Sequence, residues 1–178
     1  MKPNLMFKPL KILTIALYGV LLHSTAFAQQ LPELPEKPQK SQIPKYNSSG
    51  ERVKGITLRA TGMFLLPNGQ ILPMYGFIVG QMNGTANVFY WNDKLGVECE
   101  GKTTLQSDRS GTGVILCNEN GAPYLELPIK VTAEKYLQRN TIATMKIPQE
   151  NGTVFAAAIA WKTGRFPNPS TVFAAIPK

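Results

Sequence analysis

Four Asn-Gly dipeptides, Asn68-Gly69, Asn83-Gly84, Asn120-Gly121 and Asn151-Gly152, restrict this chain more than any other feature. Asparagine tolerates a positive φ and glycine adopts one freely, so the pair closes tight antiparallel hairpins. Apolar or alternating runs lie on either side of each pair. Their spacing predicts strands at 56–66, 70–79, 85–91, 95–106, 112–117, 123–131, 141–147, 153–162 and 170–176. Pro73 and Pro128 fall inside such runs, so those segments should be edges or contain bulges. Only 132–139, with Thr132 as N-cap, has helical character. One short helix among so many strands predicts a mostly β fold, a small antiparallel β-barrel or β-sandwich. An α/β sheet would need repeated crossover helices.

The two cysteines sit almost symmetrically about Asp108-Arg109-Ser110-Gly111. Antiparallel strands on either side of that turn would face Cys99 with Cys117 at a Cα separation of roughly 4.5–5.5 Å. A disulfide accepts about 4.4–6.8 Å, so a Cys99–Cys117 bridge is expected. A loop of this length should stabilise the fold by roughly 3 kcal/mol.

The N-terminus predicts export. Residues 1–11 carry Lys2, Lys8 and Lys11 and no acid, residues 12–22 are apolar, and Ala26-Phe27-Ala28 has the small-x-small form of a cleavage site. The expected division is a cleavable signal peptide over 1–28, a Pro-rich flexible lead-in over 29–52 and a single β-rich domain over 53–178. Pro32, Pro35, Pro38 and Pro44 favour extended backbone in the lead-in, which would act as a tether or a docking peptide. Taking 28 residues from 178 leaves 150, and removing three lysines lowers the net charge from +8 to +5. No later run is long and apolar enough for a transmembrane segment.

The only histidine, His23, lies in the signal region. Its loss excludes Ser-His-Asp and Cys-His catalysis and histidine-bound zinc. Gly111-x-Gly113 lacks the Gly-Lys-Ser/Thr of a phosphate loop, and no Asp-rich loop has calcium spacing. No catalytic residue, cofactor or metal site is therefore assigned. Paired carboxylates need no histidine, so Glu98 and Glu100, two apart on one strand, carry an alternative reading as a glycan hydrolase. Lys and Arg are scattered singly, which argues against a nucleic-acid partner and fits weak attraction to an anionic envelope.

One internal echo pairs Thr153–Ile159 with Thr171–Ile176, both alanine-rich. Two buried core strands would explain it. A self-associating edge, and with it a homo-oligomeric structural subunit, is the alternative. The reading that joins these observations is a non-catalytic exported envelope domain, periplasmic or secreted and of Gram-negative type. It would bind a protein or glycan partner or serve as an assembly accessory, with Tyr90, Trp91 and Arg109 as the recognition residues.

Overall fold

The computed structural model describes residues 30–107, 110–132, 139–148 and 152–177. Eight strands form one antiparallel sheet: β1 (Ile56–Leu65), β2 (Ile71–Gly80), β3 (Thr85–Asn92), β4 (Val97–Leu105), β5 (Gly111–Glu119), β6 (Ala122–Val131), β7 (Asn140–Pro148) and β8 (Val154–Lys162). Each lies within a few residues of its predicted span. Their order is β6-β5-β4-β3-β2-β1-β8-β7. The sheet curls into a half-barrel, with no ladder joining β6 to β7 among the described residues.

The hairpin turns follow from the Asn-Gly pairs. Between β1 and β2, Asn68 Oδ1 accepts from the Gln70 amide at 3.0 Å and Gly69 has φ 82°. Between β2 and β3, Asn83 Oδ1 accepts from both the amide and the hydroxyl of Thr85. Asn120 and Gly121, between β5 and β6, have φ 50° and 83°, the double left-handed geometry that matches strand twist. Gly152 leads from β7 into β8 with φ 78°. Pro128 lies on the edge strand β6, as its missing N–H requires. Pro73 lies within β2 facing Met63 of β1, but the β3 ladder begins only at Tyr75. Its other side is met by Asn92, whose Nδ2 donates to the Pro73 carbonyl at 2.8 Å.

Side-chain alternation decides the two faces. On β6, Leu127, Ile129 and Val131 are buried while Glu126, Pro128 and Lys130 are exposed. The concave face gathers residues from all eight strands into one core, including Phe64, Met74, Tyr90, Ile115, Leu127, Met145, Phe155 and Trp161. On β1, β2, β3 and β8 the convex face is covered as well, so these strands are apolar on both sides.

Two layers cover the convex face. Ala158 and Ala160 of β8 and Met63 of β1 pack with Val172 of a short helix, α1 (Pro169–Ala174), and with Leu31 and Leu34. Beside them Tyr75, Phe77, Phe89, Trp91 and Phe166 form an aromatic cluster with ring centroids 5.2–6.2 Å apart. Thr61 Oγ1 donates to the Pro167 carbonyl at 3.0 Å and helps hold the segment that carries Phe166.

Residues 170–176 were expected as a strand and instead contain α1. Asn168 caps it, accepting from the Ser170 amide at 2.9 Å, and Pro169 occupies its first turn. The matching alanine run in β8 is paired on both sides, with β1 and β7, so it offers no open edge for self-association. The expected helix at 132–139 lies almost wholly outside the described residues.

The stretch expected as a mobile lead-in forms a short 3-10 helix at Lys40–Gln42 and a turn closed by the Tyr46–Arg52 bridge, and it makes specific contacts with the sheet. The Glu36 amide donates to Asp93 Oδ1 at 2.9 Å, Glu33 pairs with Lys94, and Lys37 lies 5.8 Å over the Tyr75 ring. Further on, buried Asn47 donates to Asn87 Oδ1 at 3.0 Å. Glu51 bonds Lys102 and Asn47, which together hold its carboxyl below the usual range.

Candidate functional site

Cys99 and Cys117 face each other across β4 and β5 and are joined by a disulfide, with Cα atoms 4.0 Å apart. Both sulfurs belong to the concave core. One row across the sheet runs Ala60, Gly76, Tyr90, Cys99, Cys117 and Leu125, so the bridge ties the far strands into the row that holds Tyr90.

Tyr90, expected as a surface contact, is fully buried at 0% exposure. Its ring meets Phe64 edge-on with centroids 5.8 Å apart. Gly76 leaves the room it needs: a Cβ there would lie 2.7 Å from the Tyr90 ring and 1.9 Å from the Phe89 carbonyl oxygen. The Tyr90 hydroxyl has no hydrogen-bond partner among the described residues, and burial pushes its pKa well above the ordinary tyrosine value.

The concave face is unevenly filled. Towards the β1–β2 turn it is packed by Phe64, Leu66, Leu72, Val97, Phe155 and the disulfide. Towards the β2–β3 turn a cavity of about 440 Å³ remains, with walls from Leu58, Ile78, Val88, Ile115, Ile129, Ile159 and Trp161 and with Tyr90 beneath. The smaller residues Gly55, Gly80, Gly84 and Ala86 ring the same end. The rim carries Ile56 at 47% exposure and Met82, which is fully exposed. Arg139 is the one charged side chain among the described residues lining this cavity, and it is exposed.

Trp91 points the opposite way from Tyr90. It is half-buried on the convex face, with its centroid 6.2 Å from both Phe89 and Phe77. In register with it lie Glu98 of β4 and Asn118 of β5. These three, with Asp93, Asn120 and Glu36, border a polar groove of about 650 Å³. Glu98 and Glu100 share this face, as their spacing predicts. Glu98 is exposed, and Glu100 accepts from the Ser48 amide. Arg109 lies outside the described residues. Among the described residues no group of three or more acidic, cysteine or histidine side chains is arranged to hold a metal ion. No helix among them is long and apolar enough to cross a membrane.

Sequence reasoning found the Cys99–Cys117 pairing and the shared face of Glu98 and Glu100 but missed the apolar cavity. Its walls come from seven strands, and no local pattern marks residues that meet only when a sheet curls.

The arrangement defines a class: a half-barrel of antiparallel strands with a polar groove outside and an apolar cavity within. No protein-family model, curated protein or solved structure matches this chain.

Proposed function

We propose that the chain is a non-catalytic exported binding domain, an eight-stranded small barrel in finer description, whose ligand lies in the concave cavity. The supporting observation is the 440 Å³ of apolar space reaching a rim of exposed Ile56 and Met82. Protein cores ordinarily close such space, because each unfilled void forfeits dispersion contacts. The volume falls within the roughly 300–1,000 Å³ common for small-molecule sites. Eight-stranded barrels are about the width that holds one small ligand. Export, to a periplasmic or extracellular destination, is supported by the signal-like N-terminus and by a bridge that oxidising compartments favour.

The protein or glycan partner expected from the sequence finds its best surface in the outer groove. There Trp91 offers an aromatic wall, and Glu98, Asn118 and Asn120 offer hydrogen-bonding groups. Hydrolysis is a weaker reading, because Glu98 lies exposed and Glu100 is taken up by the Ser48 amide.

The test is titration with N-phenyl-1-naphthylamine, a neutral dye that brightens in apolar surroundings. The wild type should bind it saturably. Val88→Trp, which fills the cavity, should abolish the response, and the milder Ala86→Leu should weaken it if Val88→Trp fails to fold. No saturable binding by the wild type, or equal binding by folded variants, would overturn the proposal.

A further inference from the structure

We infer that the occupant of the concave cavity is a monomeric single-chain amphiphile with an anionic head, its tail in the cavity and its head at Arg139. This rests on the reading of the cavity as a ligand site and adds the ligand's chemistry. The described lining is apolar apart from the threonine and glutamine side chains near the turn, the Tyr90 hydroxyl and Arg139 at the rim. Such walls select an apolar body. The volume equals roughly fifteen water molecules at about 30 Å³ each. A methylene group is about as large as a water molecule, so the space suits one chain of about a dozen carbons.

The rim fixes the sign of the head. Arg139 stands at the mouth with no acidic side chain among the described lining residues and no ion pair among the described residues. A guanidinium presents several donors in a plane and binds carboxylate or phosphate oxygens in pairs. Met82 and Ile56, exposed beside it, make an apolar lip over which a tail can enter without crossing a polar barrier. Among the described lining residues a cation would meet the like charge of Arg139 and no acid. A dispersed amphiphile is the occupant proposed; a lipid surface would be touched by the same lip but would leave the interior unfilled.

Trp161 lines the cavity and provides a direct readout. The signal-cleaved chain, residues 29–178, would be titrated with dodecanoate, dodecanol and dodecyltrimethylammonium below their self-association concentrations. Tryptophan emission and displacement of the naphthylamine dye would be followed together. Dodecanoate should bind about three- to fivefold more tightly than dodecanol, and the cationic chain more weakly than either. Arg139→Gln should lower dodecanoate to the level of dodecanol and leave dodecanol unchanged. If dye and dodecanol bind but dodecanoate gains nothing over them, the head-group inference fails and the ligand-site reading stands. If neither dye nor any chain binds, both fail. Binding to phosphatidylglycerol vesicles with no dodecanoate response would also overturn it, in favour of a membrane-contacting lip.

Discussion

Tyr90 is the residue whose placement says most about this protein. A buried phenol with no partner among the described residues costs stability, since the hydroxyl has given up water and gained nothing from them in return. Tyr90→Phe is therefore expected to raise stability by about 1–3 kcal/mol in a denaturant melt. An unchanged or lower stability would mean that the hydroxyl is satisfied in solution. The raised pKa gives a second readout with a definite sign. The unfolded chain releases the phenolic proton near its ordinary value of about 10, while the folded protein holds it. Stability from this group is thus complete below about pH 10 and declines as pH rises above it. Tyr75, also shifted upward by burial, acts in the same direction. Tyr90→Phe should flatten the alkaline decline of the melting temperature without removing it. Residue by residue, the sequence marked Tyr90 and Trp91 together as aromatic contacts. Strand alternation forbids that pairing, because neighbours on a strand point to opposite faces. Which of the two faces inward depends on the direction in which the whole sheet curls, and no local signal carries that information.

At the scale of elements, the pinned β4–β5 hairpin was legible because two cysteines and a turn fix one register. Cys99↔Cys117 is that register. The bridge closes a loop of sequence separation 18, so Cys99→Ser should cost about 3 kcal/mol. In a domain of this size that lowers the melting temperature by roughly 6–12 °C. A melting temperature equal to that of the oxidised wild type would sink the assignment. The C-terminal segment was not legible, for a different reason. Val154-Phe155-Ala156-Ala157-Ala158-Ile159 and Val172-Phe173-Ala174-Ala175-Ile176 are near-copies, yet one is a strand and the other contains a helix. Alanine is a good helix former and also a small strand residue over which another layer can lie closely. What separates them is context. Asn168-Pro169 starts a helix just before the second copy, while the first follows a hairpin turn and finds ladder partners on both sides.

At the scale of the whole molecule, the sheet is made from short hairpins and the convex layer from the two ends of the described chain. Leu31 and Leu34 from one end and Val172 and Phe173 from the other meet over the alanines of β8. The composition of 29–52, rich in proline and poor in apolar periodicity, concealed this, because two leucines suffice when the surface beneath them is already apolar. A chain beginning at Gln39 should lose about 3 kcal/mol of stability through the uncovered surface. It should also associate through the bared patch in light scattering. A strict monomer with an unchanged melt would show that those leucines contribute little.

The pairing of β1 has a consequence in time. This strand meets β2 at once through a short turn, but its other edge waits for β8, where Arg59 stands opposite Lys162. Contacts so far apart in sequence make for slow folding, since a long loop must close before the ladder stabilises it. While a ribosome is still adding the second half, the centre of the sheet has an unpaired edge and half of its cover is missing. A chain built this way stays unfinished until β8 and α1 have both been made. The export proposed above would call for such a chain, one still unfolded when it is threaded through a membrane and completed on the far side.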